Sequence, residues 1–221
     1  MKYFEQDFID FFTELGQNNH KDWFHEHKKR YEKSVKKPFA NFVEAMIAAV
    51  QEHDEELELE PKNSISRINR DIRFSKDKTP YNTHLNALIS RGGKKDKSIP
   101  GIFLRFSAEK VWIMGGCYMP SKEQLQAIRE TISEDIGGFR NVIEAPRFAD
   151  TFGEIQGEAN KRIPKEFQEA HTREPLIANK QFYFMAERDA SLMLSENLID
   201  ELMQYWHAMR PVNEYFMHAA E

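Results

Sequence analysis

Residues 101–118, GIFLRFSAEKVWIMGGCY, are the stretch that decides the fold. Two runs, Gly101 to Ser107 and Val111 to Tyr118, are rich in aromatic and β-branched residues. Ala108, Glu109 and Lys110 form a short turn between them, so the stretch reads as a β-hairpin. Working backwards, the run 65–81, ISRINRDIRFSKDKTPY, opens with the two-residue period of a strand. Ser66, Ile68, Arg70, Ile72 and Phe74 alternate there with Arg67, Asn69, Asp71, Arg73 and Ser75. Leu85 to Arg91 is a further strand candidate before the polar loop GGKKDKS, and Gln181 to Asp189 is another.

The flanks have helical periods. Phe4, Phe8, Phe11, Phe12 and Leu15 recur at spacings of three and four, with Gly16 as a stop. Asn18 or Asn19 is placed to cap a second helix carrying Trp23, Phe24, His27, Tyr31 and Val35. Pro38 suits the first turn of a third, with Phe39, Phe42, Val43, Met46, Ile47 and Val50 on one face. Beyond the hairpin, Ser121 and Gln124 make a capping box for a helix lined by Leu125, Ile128 and Ile132 and stopped at Gly137-Gly138. Residues 139–180 are irregular, broken by Pro146, Gly153, Gly157, Pro164 and Pro175, and are expected to hold short helices and loops wrapped over the sheet. From Ser195 the pattern Leu198, Ile199, Leu202, Tyr205, Trp206 and Met209 predicts an amphipathic helix that Pro211 kinks or restarts. Helices, then strands, then helices predict an α+β fold: N-terminal helices, a central mainly antiparallel sheet including the 101–118 hairpin, and a C-terminal helix packed on it. A single domain over residues 1–221 fits the length.

Composition narrows the function classes. Hydrophobic residues are 40% and charged residues 30%, enough for a core and too much for a disordered chain. A formal charge of −5 argues against general binding of nucleic acid or anionic membranes. The one cysteine, Cys117, excludes an intramolecular disulfide and a cysteine-built zinc site. The opening MKYFEQDFIDFF carries acids and no small-residue cleavage site, so it does not read as a signal peptide, and the expected setting is cytoplasmic.

Against that acidic background the run 65–81 is basic. Arg67, Arg70, Arg73, Lys76 and Lys78 surround only Asp71 and Asp77. Read as a strand, Arg67, Asn69, Asp71 and Arg73 share one face, and Arg70 points to the apolar side. A guanidinium there needs a partner, with Asp77 and Glu187 as candidates. The turn Ser75-Lys76-Asp77-Lys78 followed by Thr79-Pro80 could cradle a phosphate or carboxylate. The expected ligand contacts are Arg67, Arg70, Arg73, Lys76, Lys78, Tyr81 and Tyr118, with Asp71, Asp77 and His84 as candidate acid–base groups. The expected activity is binding, or turnover, of a small anionic, phosphate-bearing ligand, with no cofactor and no metal. HExxH and the common phosphate and dinucleotide loops are absent. Two competing readings stand beside it. In one, the run is a structural ion-pair network of a non-enzymatic protein-interaction module; in the other, the chain associates with nucleic acid. Gly115-Gly116 within the hairpin admit either a ligand beside Tyr118 or a bulky side chain such as Trp23.

RDIRFSKDKTPY, residues 70–81, resembles the signature of the family known as domain of unknown function 2461. NNHKDWFHEHKKRYE near the start, GGCYMP at 115–120, IRETI in the following helix, GEANKRIPKEF and the closing W-x-x-M-R-P are similar to its other segments. The likeness spans nearly the whole chain. It implies a widespread single-domain protein and transfers no catalytic residue.

Overall fold

The computed structural model describes residues 1–220. The chain begins with α1 (Gln6–Gln17), α2 (Lys21–Glu26) and α3 (Lys37–Gln51). It continues through β1 (His84–Ile89), β2 (Ile102–Ser107) and β3 (Lys110–Cys117). Helices α4 (Lys122–Glu134), α5 (Ile136–Ile143) and α6 (Pro146–Phe152) follow, and β4 (Phe182–Asp189) and α7 (Leu198–Ala219) close the fold. The strands form one antiparallel sheet in the order β1-β2-β3-β4. The architecture is α+β, as the order of periodicities requires.

Strand alternation decides which side of the sheet is covered. Leu85, Ala87 and Ile89, then Ile102, Leu104 and Phe106, then Val111, Ile113 and Cys117, then Phe182, Phe184 and Ala186 all enter the core. Helix α7 lies over this face with Leu202, Met209, Val212 and Phe216 fully buried. Phe106 joins sheet to N-terminal helices: its ring lies 5.5 Å from Phe4, 5.6 Å from Phe39 and 5.1 Å from Phe42. At the other edge Phe184 meets Phe148 at 4.7 Å and Phe152 at 4.9 Å. Asn213 is the buried polar link. Its side chain accepts from the Gly116 N–H at 2.8 Å and donates to the Gly101 carbonyl at 3.2 Å, tying α7 to β3 and to the residue just before β2.

The glycine pair serves packing. A Cβ at Gly115 would stand 2.6 Å from the Phe184 ring and 3.1 Å from Met209 Sδ, so the space goes to those side chains and not to Trp23. Gly116 has φ +95, which disfavours a side chain, and a Cβ there would meet the Phe182 carbonyl.

Several local expectations shift for physical reasons. The second helix is capped by His20, whose Nδ1 accepts from the Trp23 N–H at 3.3 Å; Asn18 instead closes α1 by donating to the Glu14 carbonyl. The second and third expected helices are joined by a π-helical turn, Tyr31–Lys36, directly ahead of Pro38. Proline cannot donate to the carbonyl four residues back and its ring crowds it, and a wider turn relieves both. Gly137 and Gly138 do not end α4. Asp135 ends it and caps α5, accepting from the Gly138 N–H at 2.8 Å. Helix α7 continues through Pro211. The capping box of Ser121 and Gln124 forms as expected.

Phe106→Ala should lower the unfolding free energy by about 3–5 kcal/mol in urea titration, because three neighbouring rings lose their common contact. Phe74→Ala, at a side chain 95% exposed, should change it by less than about 0.5 kcal/mol.

Candidate functional site

The basic run is extended but not a ladder strand. Ile65 bridges Ala87 and Asn69 bridges Tyr81, both antiparallel. Ser66 donates to the Asn86 carbonyl, Asn82 to Ile68 and Arg70 to Pro80, so residues 65–70 line the outer edge of β1 and of the segment leading into it. The two-residue alternation survives: Ile68 is buried and Arg67, Asn69, Asp71 and Arg73 are exposed. Regular pairing fails beyond Arg70, where the chain turns and Phe74 points into solvent. Asn19 anchors the return. It donates to the Tyr81 carbonyl at 2.8 Å and accepts from the Tyr81 N–H at 3.1 Å, while the Tyr81 ring stacks on Phe24 at 4.0 Å.

Within the run, charges meet one another. Arg70 binds Asp77 and the hydroxyl and carbonyl of Thr79. Arg73 takes both oxygens of Asp71, and Lys78 donates to the Ile72 carbonyl at 2.8 Å. The Thr79 N–H, Arg70 and the Thr79 hydroxyl together pull Asp77 down to about 2. Asp71 is lowered by Arg73. Both carboxylates are therefore committed acceptors at neutral pH. Among the described residues Lys76 and the Arg67 side chain make no hydrogen bond or ion pair.

The opposite face of the sheet is not part of the core. Phe103, Trp112, Met114, Tyr183 and Met185 are half-buried, and none of them packs against the core. One row of this face crosses all four strands in register: Asn86, Arg105, Trp112 and Glu187. Arg105 Nε donates to Asn86 Oδ1 at 3.1 Å, and its guanidinium lies 5.7 Å from the Trp112 ring and 5.8 Å from Phe103. The Trp112 indole donates to Glu187 at 2.8 Å, and Glu187 also binds Lys110. Glu187 is thus occupied by Lys110 and Trp112, which hold its carboxyl below the usual range. Among the described residues no carboxylate reaches Arg105, and its terminal N–H groups have no acceptor.

Of the residues singled out in the sequence, His84 and Tyr118 share this neighbourhood with Arg105. His84 pairs with Ser107, one diagonal step from Arg105. Burial first, then the charges of Arg105 and Arg70, push His84 down to about 4, so it is neutral at pH 7. Burial lowers Arg105 as well, and Tyr118 acts in the opposite sense. Tyr118 is 48% exposed and meets Tyr183 edge-on at 5.7 Å. Arg105, Phe103 and Trp112 were not candidates from sequence. An arginine on the polar side of a hairpin is ordinary, and only the tertiary structure reveals that it lacks a carboxylate. The chemistry available is recognition of an anion by a desolvated guanidinium, beside a neutral imidazole and aromatic rings.

Two clefts lie elsewhere. One, of about 280 Å³, is lined by His53, Trp206, Arg91 and Arg210, but Arg91 is held by Asp54 and Glu56 and Arg210 by Glu214. The other, of about 370 Å³, contains Arg140, bound to Glu144 and the fully buried Glu174. Their cations are already neutralised, so size there is not matched by free charge. Cys117 is buried, its thiol pushed up to about 12, and it donates to the Ser98 carbonyl. Among the described residues no cluster of His, Cys, Asp and Glu could hold a metal, and no helix is long and apolar enough to cross a membrane.

His84 predicts a pH effect with a definite sign. The folded chain protonates it only below about 4, whereas the ordinary value is 6.5. Between these values the unfolded state binds more protons, so stability rises with pH across that window and falls on acidification. Melting temperatures from pH 7 to 4 should therefore drop less steeply in His84→Gln than in the parent chain.

Comparison with curated proteins finds no match. The family described as "Conserved hypothetical protein (DUF2461)" matches residues 7–215, nearly the whole chain, including the anchored run and the hairpin. The protein belongs to that family.

Proposed function

We propose that the protein binds a small anionic ligand, bearing phosphate or carboxylate, on the open face of its sheet, with Arg105 as the principal contact. The observation that carries this reading is a half-buried guanidinium with no carboxylate on it. Desolvating a charge is costly unless a partner compensates, and here the partners are one amide oxygen and two ring faces. Neutral His84 offers one further polar contact to the anion. Tyr118 flanks the site.

The run 65–81 has a supporting part in this reading. Arg70, Arg73 and Lys78 shape the turn through their pairs, and Arg70 adds positive potential near His84. Exposed Arg67 and Lys76 would draw an anion toward that edge. The single buried, unpaired thiol fits a reducing, cytoplasmic setting. A second reading, a protein-interaction module, is favoured by the make-up of the open face, since tryptophan, tyrosine, phenylalanine, methionine and arginine are the residues enriched at interfaces.

Ligand-dependent melting tests the first reading. Phosphate at about ten times its Kd stabilises by about 1.4 kcal/mol, a rise of about 3–6 °C for a chain of this size. Arg105→Gln should abolish the rise while leaving the ligand-free melting temperature within about 2 °C. A shift that persists in Arg105→Gln and vanishes in Arg73→Ala would return the site to the basic run.

A further inference from the structure

A second row crosses the open face beside Arg105: Leu88, Phe103, Met114 and Met185, in register on β1, β2, β3 and β4. It lies two residues along the strands from the Asn86–Arg105–Trp112–Glu187 row, a step of about 6–7 Å. Of these four only Leu88 is buried, at 9% exposure, and it too stands outside the core cluster. Tyr183 and Tyr118, meeting edge-on, stand near Met185 at the β3–β4 end of the face. The free charge of the face is therefore bordered by an apolar strip of one ring and two thioethers.

Inorganic phosphate would use Arg105 and leave that strip in water. A strip of phenylalanine and methionine has the chemistry to receive a flat ring, through stacking and sulfur–aromatic contact. Building on the anion reading above, we infer that the ligand is a planar aromatic molecule carrying the anionic group, with the anion on Arg105 and the ring on Phe103, Met114 and Met185. The spacing of the rows matches a ring separated from its charge by an ester oxygen or a short linker. The rim tyrosines and Trp112 stand at the borders of this strip.

The test compares inorganic phosphate, butyl phosphate, phenyl phosphate and benzoate by isothermal titration on the full chain and on two variants, Met114→Thr and Met185→Thr. Both methionines lie on the row beside that of Arg105, and threonine suits a half-buried strand position. The expected result is phenyl phosphate binding about tenfold more tightly than butyl phosphate, a preference reduced in both variants while inorganic phosphate binds them as it binds the parent chain. Benzoate binding alongside phenyl phosphate would extend the ligand class to aromatic carboxylates. Equal affinity for phenyl and butyl phosphate, with both lost in Arg105→Gln, overturns the ring platform and leaves the anion site standing. Absence of binding by all four probes overturns the anion site and this inference with it.

Discussion

Burial on one face of a four-stranded antiparallel sheet is the constraint on which the remaining structure depends. Each strand sends alternate side chains into a phenylalanine-rich core, and the helices that complete the core are held to that side. Phe106 joins β2 to the N-terminal helices, Phe184 joins β4 to α6, and Asn213 ties α7 to β3 and to the residue just before β2. The same arrangement leaves the other face of the sheet outside the core and, over most of it, half-exposed. Its polar, aromatic and thioether side chains must therefore be stable half in water.

The basic run owes its geometry to this layout. It lies against the outer edge of β1, where a regular extra strand would offer a fresh row of unpaired backbone groups. Isolated bridges and a turn end the pairing early. Asn19 and Phe24 hold Tyr81 at the base of the turn, so the N-terminal segment sets where the run ends. Its salt bridges are mostly exposed, and such pairs contribute little to stability. Their consequence is local: they fix the turn and consume the two aspartates. The charge of Arg70 still acts on His84, linking the run to the open face.

Strand identity and helix amphipathicity were legible because both depend on side-chain period, which local sequence carries. The hairpin, the capping box of Ser121 and Gln124 and the inward phenylalanines follow directly from it. Boundaries were less legible where two local signals competed. Gly137-Gly138 has the composition of a stop, yet Asp135 takes the role because its carboxylate satisfies the next helix's N–H groups. At the site, the charges of residues 65–81 stand out in sequence because they are clustered. Arg105 does not stand out, because an isolated arginine among β-branched and aromatic residues is common.

The sequence by itself determined the α+β order, the inner face of each strand, the extended character of residues 65–70 and the family to which the chain belongs. Each of these rests on local spacing or on contiguous residue identity. Only the tertiary structure decided which charges neutralise one another and which remain unsatisfied. Ion pairing depends on distance in space, so Arg70 could find Asp77 across a turn while Glu187, the other candidate, went to Lys110 and Trp112. With Glu187, the carboxylate on its own row, engaged in that way, Arg105 was left a half-buried cation without a counter-charge, on a face whose exposure no single strand could have revealed.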